Sequence, residues 1–190
     1  MAIYSRPTKD EYFLAMAQLV SLRATCVRRR VGCVLVDSHN HVLATGYNGV
    51  AAGQPHCLDV RCPGADLPSG TGLDKCQAIH AEQNAILQCK DVYAIETAYI
   101  TTSPCPTCTK LLMNTGCKRI VYSNAYTDMA AKEIWKGEWI DYGTVEHVFA
   151  EILLDTPEGI TRFDERQCDL FGRGNERSEP DDDGSGWGQA

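Results

Sequence analysis

The segments His80-Ala81-Glu82 and, after 21 intervening residues, Pro104-Cys105-Pro106-Thr107-Cys108 predict most about how this chain folds. Each segment stands where a helix is expected to start. His80 and Glu82 fall in the first turn of a helix predicted over 79–89, and Pro106 suits the first turn of a second helix. Between the two helices, the β-branched and aromatic run at 97–102 predicts a strand. The predicted order is therefore helix, strand and helix. His80 and Glu82 lie at the start of the first helix, and Cys105 and Cys108 lie at the start of the second.

The rest of the chain continues this alternation. A helix begins after Thr8, where Glu11 completes a capping box, and its apolar stripe extends to about Thr25. The remaining predicted elements are a hairpin of strands at 31–37 and 41–47, strands at 119–122 and 145–149, and a helix at 128–135. Strands that alternate with helices after an initial hairpin predict an α/β fold, a three-layer α/β/α domain with a mixed five-stranded sheet.

The domain organisation follows from length and composition. At 190 residues the chain is long enough for one domain with its own core, which we place within 1–171, with the core at about 8–150. Residues 172–190 are rich in Gly, Ser and Asp and cannot bury enough apolar surface, so they are predicted to be a disordered acidic tail. The long irregular stretch 48–77 is expected to have a function or to be held in place by specific contacts, because such loops are uncommon inside compact domains.

Charge and hydropathy exclude several classes of function. The net charge of −7 is poorly suited to a phosphate backbone, which argues against a nucleic-acid partner. Arg28-Arg29-Arg30 is the local exception and is either a solvated surface or a site for one small phosphorylated ligand. No apolar run approaches the roughly 20 residues that span a bilayer, and residues 1–7 lack the apolar core of a signal peptide. We therefore expect a cytoplasmic protein with no membrane partner.

His80, Cys105 and Cys108 are candidate zinc ligands. Helix N-termini favour thiolate over thiol, and two cysteines three residues apart on such a turn can converge on one ion. Three protein ligands leave the fourth tetrahedral position for water, which is typical of catalytic zinc. Glu82 is not needed as a ligand and is the candidate catalytic residue that moves protons. The alternative is a structural zinc with a fourth ligand elsewhere.

Three motifs resemble those of a known family: Gly46-Tyr47-Asn48-Gly49, His80-Ala81-Glu82-Gln83-Asn84-Ala85-Ile86 and Thr102-Ser103-Pro104-Cys105-Pro106-Thr107-Cys108. The H-x-E and P-C-x-x-C signature is that of zinc-dependent nucleobase deaminases. With the run 116–122, the motifs closely resemble deoxycytidylate (dCMP) deaminases over roughly 8–150. The resemblance implies the cytidine-deaminase fold, hydrolysis of dCMP to dUMP and ammonia for thymidylate synthesis, and homo-oligomers, often hexamers.

The resemblance also implies substrate contacts. Asn48 is expected to bind the sugar hydroxyl, and the backbone at Ser103 to accept a hydrogen bond from the exocyclic amine. Tyr126 packs near the nucleotide, or is an ordinary half-buried aromatic. Members of the family are often activated by dCTP and inhibited by dTTP with Mg²⁺, so these nucleotides are candidate allosteric partners.

Ten cysteines without a secretory signal favour metal ligation over disulfides. Cys33, Cys89 and Cys117 lie in apolar patterns and are predicted to be small buried hydrophobes, whereas Cys168 carries no readable signal. Four others are candidate ligands of a second, structural zinc, with His56 near them: Cys26, Cys57, Cys62 and Cys76. The alternative is scattered free thiols.

Some relatives hold such a second zinc, with His or Glu at the later ligand positions. Here Ala78 stands two residues before His80, so one such ligand is absent. Cys62 or Cys76 would have to replace it.

Three other functions compete with dCMP deamination. A deaminase of bases within RNA or DNA needs a surface for a strand, which this acidic chain lacks outside residues 28–30. A non-catalytic zinc module for nucleotides or partners has no use for a carboxylate at Glu82. An enzyme that also accepts dCTP or 5-substituted dCMP stays open, because loop geometry decides which phosphates and ring substituents fit.

Overall fold

The computed structural model describes residues 6–68, 71–72, 75–126, 130–145 and 148. The helices are α1 Lys9–Ser21, α2 Ala81–Gln88, α3 Pro106–Met113 and α4 Ala130–Ile134, with a short 3-10 helix at Val92–Ala94. The strands are β1 Gly32–Asp37, β2 Val42–Tyr47, β3 Ile95–Thr102, β4 Arg119–Asn124 and β5 Glu138–Asp141. No helix within these described ranges is long and apolar enough to cross a bilayer.

The five strands form one mixed sheet in the order β2-β1-β3-β4-β5. β1 pairs antiparallel with β2, as the hairpin prediction requires, and antiparallel with β3. β3, β4 and β5 run parallel to one another. β3 is the middle strand, and seven of its eight residues are buried, which is typical of a strand covered on both faces. The predicted mixed five-stranded sheet is therefore confirmed.

Helices cover both faces of the sheet. Successive side chains of β1 point to opposite faces, and the apolar ones pack into a separate core on each face. Val34 and Val36 pack with Phe13 and Leu14 of α1 on one face. Leu35 and its neighbours pack on the other face with Ala81 and Ala85 of α2, Leu112 of α3 and Trp135. This arrangement confirms the three-layer α/β/α prediction.

The first helix begins as predicted but ends earlier. The Thr8 hydroxyl accepts a hydrogen bond from the Glu11 N–H at 3.2 Å, and the Glu11 carboxylate accepts one from the Thr8 N–H at 2.6 Å. The helix ends at Ser21, not near Thr25. After Ser21, three successive N–H groups bond to the carbonyl three residues earlier, as in a 3-10 helix. The Thr25 N–H then donates to the carbonyl of Asn48. The chain thus leaves the helix to join the end of β2.

The prediction of the last strand at 145–149 is wrong. The fifth strand is β5, paired parallel to β4, whereas Val145 lies outside the strands and Val148 is helical. Both valines are buried in the core beneath α1, and this burial explains their apolar character. β5 has a weak sequence signal because it is a four-residue edge strand with exposed polar ends.

The predicted buried cysteines and the fourth helix are found in part. Cys33 and Cys117 are buried as expected, whereas Cys89 is only partly buried and its thiol donates to the carbonyl of Asp91 at 3.3 Å. The helix predicted at 128–135 is described from Ala130 as α4. Cys168, the domain boundary at 171 and the predicted tail at 172–190 lie outside the described residues.

Candidate active site

The start of α2 is tied to the end of β2. His80 is the N-cap of the helix, and its backbone N–H donates to the Gln83 side chain at 2.8 Å. One turn into α2, the Asn84 side-chain amide donates to the carbonyl of Tyr47 at 2.8 Å. Immediately before the helix, Ile79 and Gly49 exchange two backbone hydrogen bonds of 2.7 and 3.1 Å. The positions of His80 and Glu82 are therefore set by the Gly-Tyr-Asn-Gly turn.

Gly46 allows α2 to contact the β2 backbone directly. A Cβ at this position would lie 2.3 Å from the carbonyl oxygen of Ala81 and 2.4 Å from the backbone nitrogen of Ala85. No side chain fits in that space, so the absence of a Cβ sets how closely the helix approaches the sheet.

The second pair lies at the start of α3. Cys105 is the N-cap, and Pro106 takes the first helical position, where its missing N–H costs nothing. The Thr109 hydroxyl donates to the Cys105 carbonyl at 3.1 Å in a buried hydrogen bond. Cys108 therefore faces the same side as Cys105, one turn further along.

The three predicted ligand atoms come together between these helix starts. His80 Nδ1 lies 3.4 Å from Cys108 Sγ and 3.6 Å from Cys105 Sγ. All three atoms lie within 4.8 Å of one another, which suits ligands of one metal ion. Hydrogen bonds from the Cys108 and His80 side chains lower the pKa of the Cys105 thiol to about 4. Two cysteine sulfurs with an imidazole are a donor set that zinc prefers, so these residues fit that ion.

Glu82 is a buried carboxyl beside these atoms. It is only 3% exposed, and burial raises its pKa to about 6. A carboxyl that changes protonation close to neutral pH is suited to accept and return a proton. The fully buried Cys33 thiol also lies close enough for the Glu82 charge to act on it, and burial chiefly raises the pKa of that thiol.

A cavity opens onto these groups. It brings residues of the 26–31 segment to the same space as the two helix starts and the end of β3. Its walls are Cys26, Arg28, Arg29, Val31, Asn48, Cys76, Ala78, His80, Ala81, Glu82, Thr102, Ser103, Cys105 and Tyr126. The three residues predicted to contact substrate, Asn48, Ser103 and Tyr126, are all among them.

Asn48 has a structural role that the sequence did not reveal. Its side-chain oxygen accepts a hydrogen bond from the Val31 N–H at 2.7 Å, and its amide donates to the Arg29 carbonyl at 2.8 Å. Asn48 thus fixes the backbone on both sides of Arg30. Its oxygen retains a second lone pair and its amide a second hydrogen. Binding of a sugar hydroxyl by Asn48 stays a prediction.

Ser103 and Tyr126 are two further residues of the cavity wall, and they contact each other. The Ser103 hydroxyl accepts a hydrogen bond from the Tyr126 N–H at 2.7 Å, and the Ser103 N–H donates to the carbonyl of Asn124 at 2.8 Å. The Arg29 guanidinium lies 5.4 Å from the centre of the Tyr126 ring, within cation–π range. In the sequence, residues 28–30 form one basic run, and nothing in that run distinguishes Arg29, which lines the cavity, from its neighbours.

Three of the four cysteines predicted as ligands of a second zinc lie in one cluster. Cys57, Cys62 and Cys76 pack together with Ala65. Hydrogen bonding from the Gln77 backbone is the main cause that lowers the pKa of Cys62. Within the described ranges, however, these thiols do not bring three candidate ligand atoms as close together as the His80 group.

Cys26 and His56 stand at the margin of this cluster. Cys26 is buried, and its charge acts on Cys76. The side chain of His56 is 56% exposed, and its Nδ1 lies 3.8 Å from the Asp59 carboxylate. The second metal site stays a prediction.

Proteins of similar sequence are named deoxycytidylate deaminases. Deoxycytidylate deaminase of Schizosaccharomyces pombe is 42% identical over 125 residues, which cover 64% of this chain and 38% of that protein. Deoxycytidylate deaminase of Mycobacterium phage D29 is 41% identical over 125 residues, with 62% of this chain and 96% of that protein covered. The chain therefore spans well under half the length of the fission-yeast relative.

A solved structure supports the same relationship. The dCMP deaminase from the cyanophage S-TIM5, in complex with dCMP and dUMP, has a TM-score of 0.58 and 25% identity, over 73% of this chain and 99% of that one. Residues 7–124 match the model of the family described as the cytidine and deoxycytidylate deaminase zinc-binding region. This match contains all three metal-ligand candidates and Glu82. The chain belongs to the cytidine and deoxycytidylate deaminase zinc-binding family.

Proposed function

We propose that this protein is a zinc-dependent deaminase that hydrolyses dCMP to dUMP and ammonia, and so supplies dUMP for thymidylate synthesis. The observation that carries the proposal is the buried Glu82 carboxyl beside the His80, Cys105 and Cys108 ligand atoms, with Glu82, His80 and Cys105 lining one open cavity. The names of the relatives and the dCMP and dUMP bound in the cyanophage structure support this substrate.

The proposed chemistry divides between the metal and the chain. Zinc held by His80, Cys105 and Cys108 would supply Lewis acidity that makes water a nucleophile near neutral pH. Overall, a C–O bond forms at C4 of cytosine as the C–N bond to the exocyclic amine breaks. Glu82 is the proposed general base and acid: it takes one proton from water and delivers it to the ring nitrogen, then passes the second proton of that water to the amine, which leaves as ammonia.

The proposed substrate contacts lie on the walls of the cavity. The carbonyl of Ser103 would accept a hydrogen bond from the exocyclic amine, and Asn48 would bind the sugar hydroxyl. We assign the phosphate to Arg29, because its guanidinium lines the cavity and stacks on Tyr126. A guanidinium can bind phosphate through two parallel hydrogen bonds. Tyr126 would then act by orienting Arg29 as well as by packing near the nucleotide.

Ammonia release from dCMP tests the proposal directly. Wild-type protein should turn over dCMP, while Glu82→Gln should keep its metal and lose at least about 100-fold in kcat, because proton transfer typically contributes that much. CMP, dCTP, 5-methyl-dCMP and a single-stranded oligonucleotide measured in parallel would define the range of substrates. Undiminished turnover by Glu82→Gln would refute the role of the carboxyl, and preference for the oligonucleotide would refute the substrate class.

A second, structural zinc is proposed for the loop cysteines. The support is the cluster of Cys57, Cys62 and Cys76, with Cys26 beside it. Metal analysis of the purified protein should give two zinc ions per chain, and one per chain would exclude the site. Cys57→Ser should lower the stability of the loop while leaving the catalytic ligands intact.

The wider biochemical setting rests on the resemblance to the family. We propose a cytoplasmic homo-oligomer, with a hexamer favoured, whose activity responds to dCTP and to dTTP with Mg²⁺. Sedimentation and steady-state rates with each nucleotide would test the assembly and the regulation separately.

A further inference from the structure

The guanidinium of Arg28 donates hydrogen bonds to the protein backbone. Its Nη1 donates to the carbonyl of Gly64 at 2.8 Å, and its Nη2 donates to the carbonyls of Pro68 and Thr71 at 3.0 Å each. Three carbonyls from one loop thus converge on one side chain of a distant segment. Such bonds from a charged donor are roughly twice as strong as those between neutral groups.

The loop that Arg28 holds forms part of the cavity wall. A Cβ at Gly64 would lie 2.9 Å from the backbone nitrogen of Cys76, so the outgoing and returning arms of the loop touch at that point. The returning arm contributes Cys76 and Ala78 to the cavity and leads directly to His80. Of the three Arg28 bonds, the one to Gly64 therefore lies where the loop contacts a residue of the cavity wall.

The neighbouring arginines have different surroundings. Arg29 stacks on Tyr126 within the cavity, and its backbone is held by Asn48. Arg30 is exposed. Arg28 also lines the cavity, but three of its five N–H donors bond to loop carbonyls. The run 28–30 therefore divides into a loop clamp, an arginine that stacks on Tyr126 and a surface arginine.

We propose that Arg28 is a positioning residue that shapes the substrate pocket by holding the loop at Gly64, Pro68 and Thr71, and that it acts on substrate affinity and not on the chemical step. This inference rests on the proposed function for its kinetic consequence. The zinc ligands and Glu82 lie at the starts of α2 and α3, whereas the described hydrogen bonds of the Arg28 guanidinium go to carbonyls of the loop. Lysine at this position would keep the charge but lose the planar fork that reaches the separate carbonyls.

The test compares Arg28→Lys with Arg30→Lys as a matched control. Arg28→Lys should raise KM for dCMP by about tenfold and change kcat by less than about threefold, with an unaltered zinc content. Hydrogen exchange of the full-length protein should be faster at residues 61–68 and 75–78 and unchanged in the sheet. Arg30→Lys should match the wild type in every measurement.

Two results would overturn the proposal. An unchanged KM together with unchanged loop exchange would show that the clamp does not shape the pocket. Faster exchange throughout the protein, or loss of zinc with a fall in kcat, would show a general structural role instead. If the wild type does not deaminate dCMP, the proposed function fails by itself, and local loop exchange in Arg28→Lys still decides whether Arg28 holds the loop.

Discussion

Gly46 offers the sharpest test of how the site is built, because one methyl group there would act on the helix that carries His80 and Glu82. In Gly46→Ala the new Cβ would lie 2.3 Å from the Ala81 carbonyl oxygen, whereas ordinary van der Waals contact begins at 3.4 Å. Backbone atoms cannot rotate away as a side chain can. Helix α2 must therefore move away from β2 by about 1 Å, a displacement large enough for misplaced catalytic groups to lose activity.

The expected losses follow from this shift. Overpacking of this kind costs about 1–3 kcal/mol in the free energy of unfolding. A 1 Å misplacement of catalytic groups costs about 100-fold in rate, or about 2.7 kcal/mol in activation free energy. The distances from His80 Nδ1 to Cys108 Sγ and Cys105 Sγ, now 3.4 and 3.6 Å, would change because the cysteines lie on α3.

The assay combines kcat/KM for ammonia release from dCMP, urea unfolding and zinc content. Gly137→Ala is the matched control, since its Cβ would lie 2.1 Å from the carbonyl oxygen of Lys118, at the start of β5 and away from α2. The control should lose comparable stability and keep its activity within about threefold. Wild-type kcat/KM in Gly46→Ala would refute the claim that close contact between α2 and β2 positions the site.

Three further predictions concern other parts of the molecule. Arg29→Gln should raise KM about tenfold for dCMP but leave KM for deoxycytidine unchanged, because deoxycytidine has no phosphate. An equal effect on both substrates would contradict the assignment of Arg29 to the phosphate. Cys105→Ser should lose metal and activity together, whereas Glu82→Gln should lose activity alone; metal retention by Cys105→Ser would contradict its assignment as a ligand. Hydrogen bonds from the His41 backbone chiefly lower the pKa of Asp37, so its contribution to stability should be lost as pH falls through that lowered pKa. Urea midpoints of Asp37→Asn and wild type should then differ near neutral pH and converge in acid, and a pH-independent difference would contradict this.

The chemistry of the site was predictable because it is encoded over short distances. His80 and Glu82 lie within one helical turn, as do Cys105 and Cys108, and Pro106 marks the start of the second helix. The capping box at the start of α1 was predictable for the same reason. Local hydrogen bonds and helix geometry are sufficient to fix such features, so no knowledge of distant contacts was needed.

The strands were predicted where burial on the sheet produces a clear apolar pattern, and the prediction failed where it does not. β3 is buried over most of its length and gave a strong signal, whereas β5 is short, half-buried and bounded by Glu138 and Asp141. Val145 and Val148 mimicked a strand because they fill the core beneath α1. Apolar residues report burial, and burial alone does not distinguish a strand from another packed segment.

The sequence by itself predicted the candidate zinc ligands, the candidate proton-transfer group and the order of helices and strands. Only the tertiary structure decided the roles of Arg28, Arg29 and Asn48. The carbonyls that bind Arg28 lie 36 to 43 residues away, and the ring beneath Arg29 belongs to Tyr126 on another part of the chain. An arginine has the same local sequence signature whether it binds backbone, stacks on a ring or faces solvent, so the partner that folding brings to it decides its role.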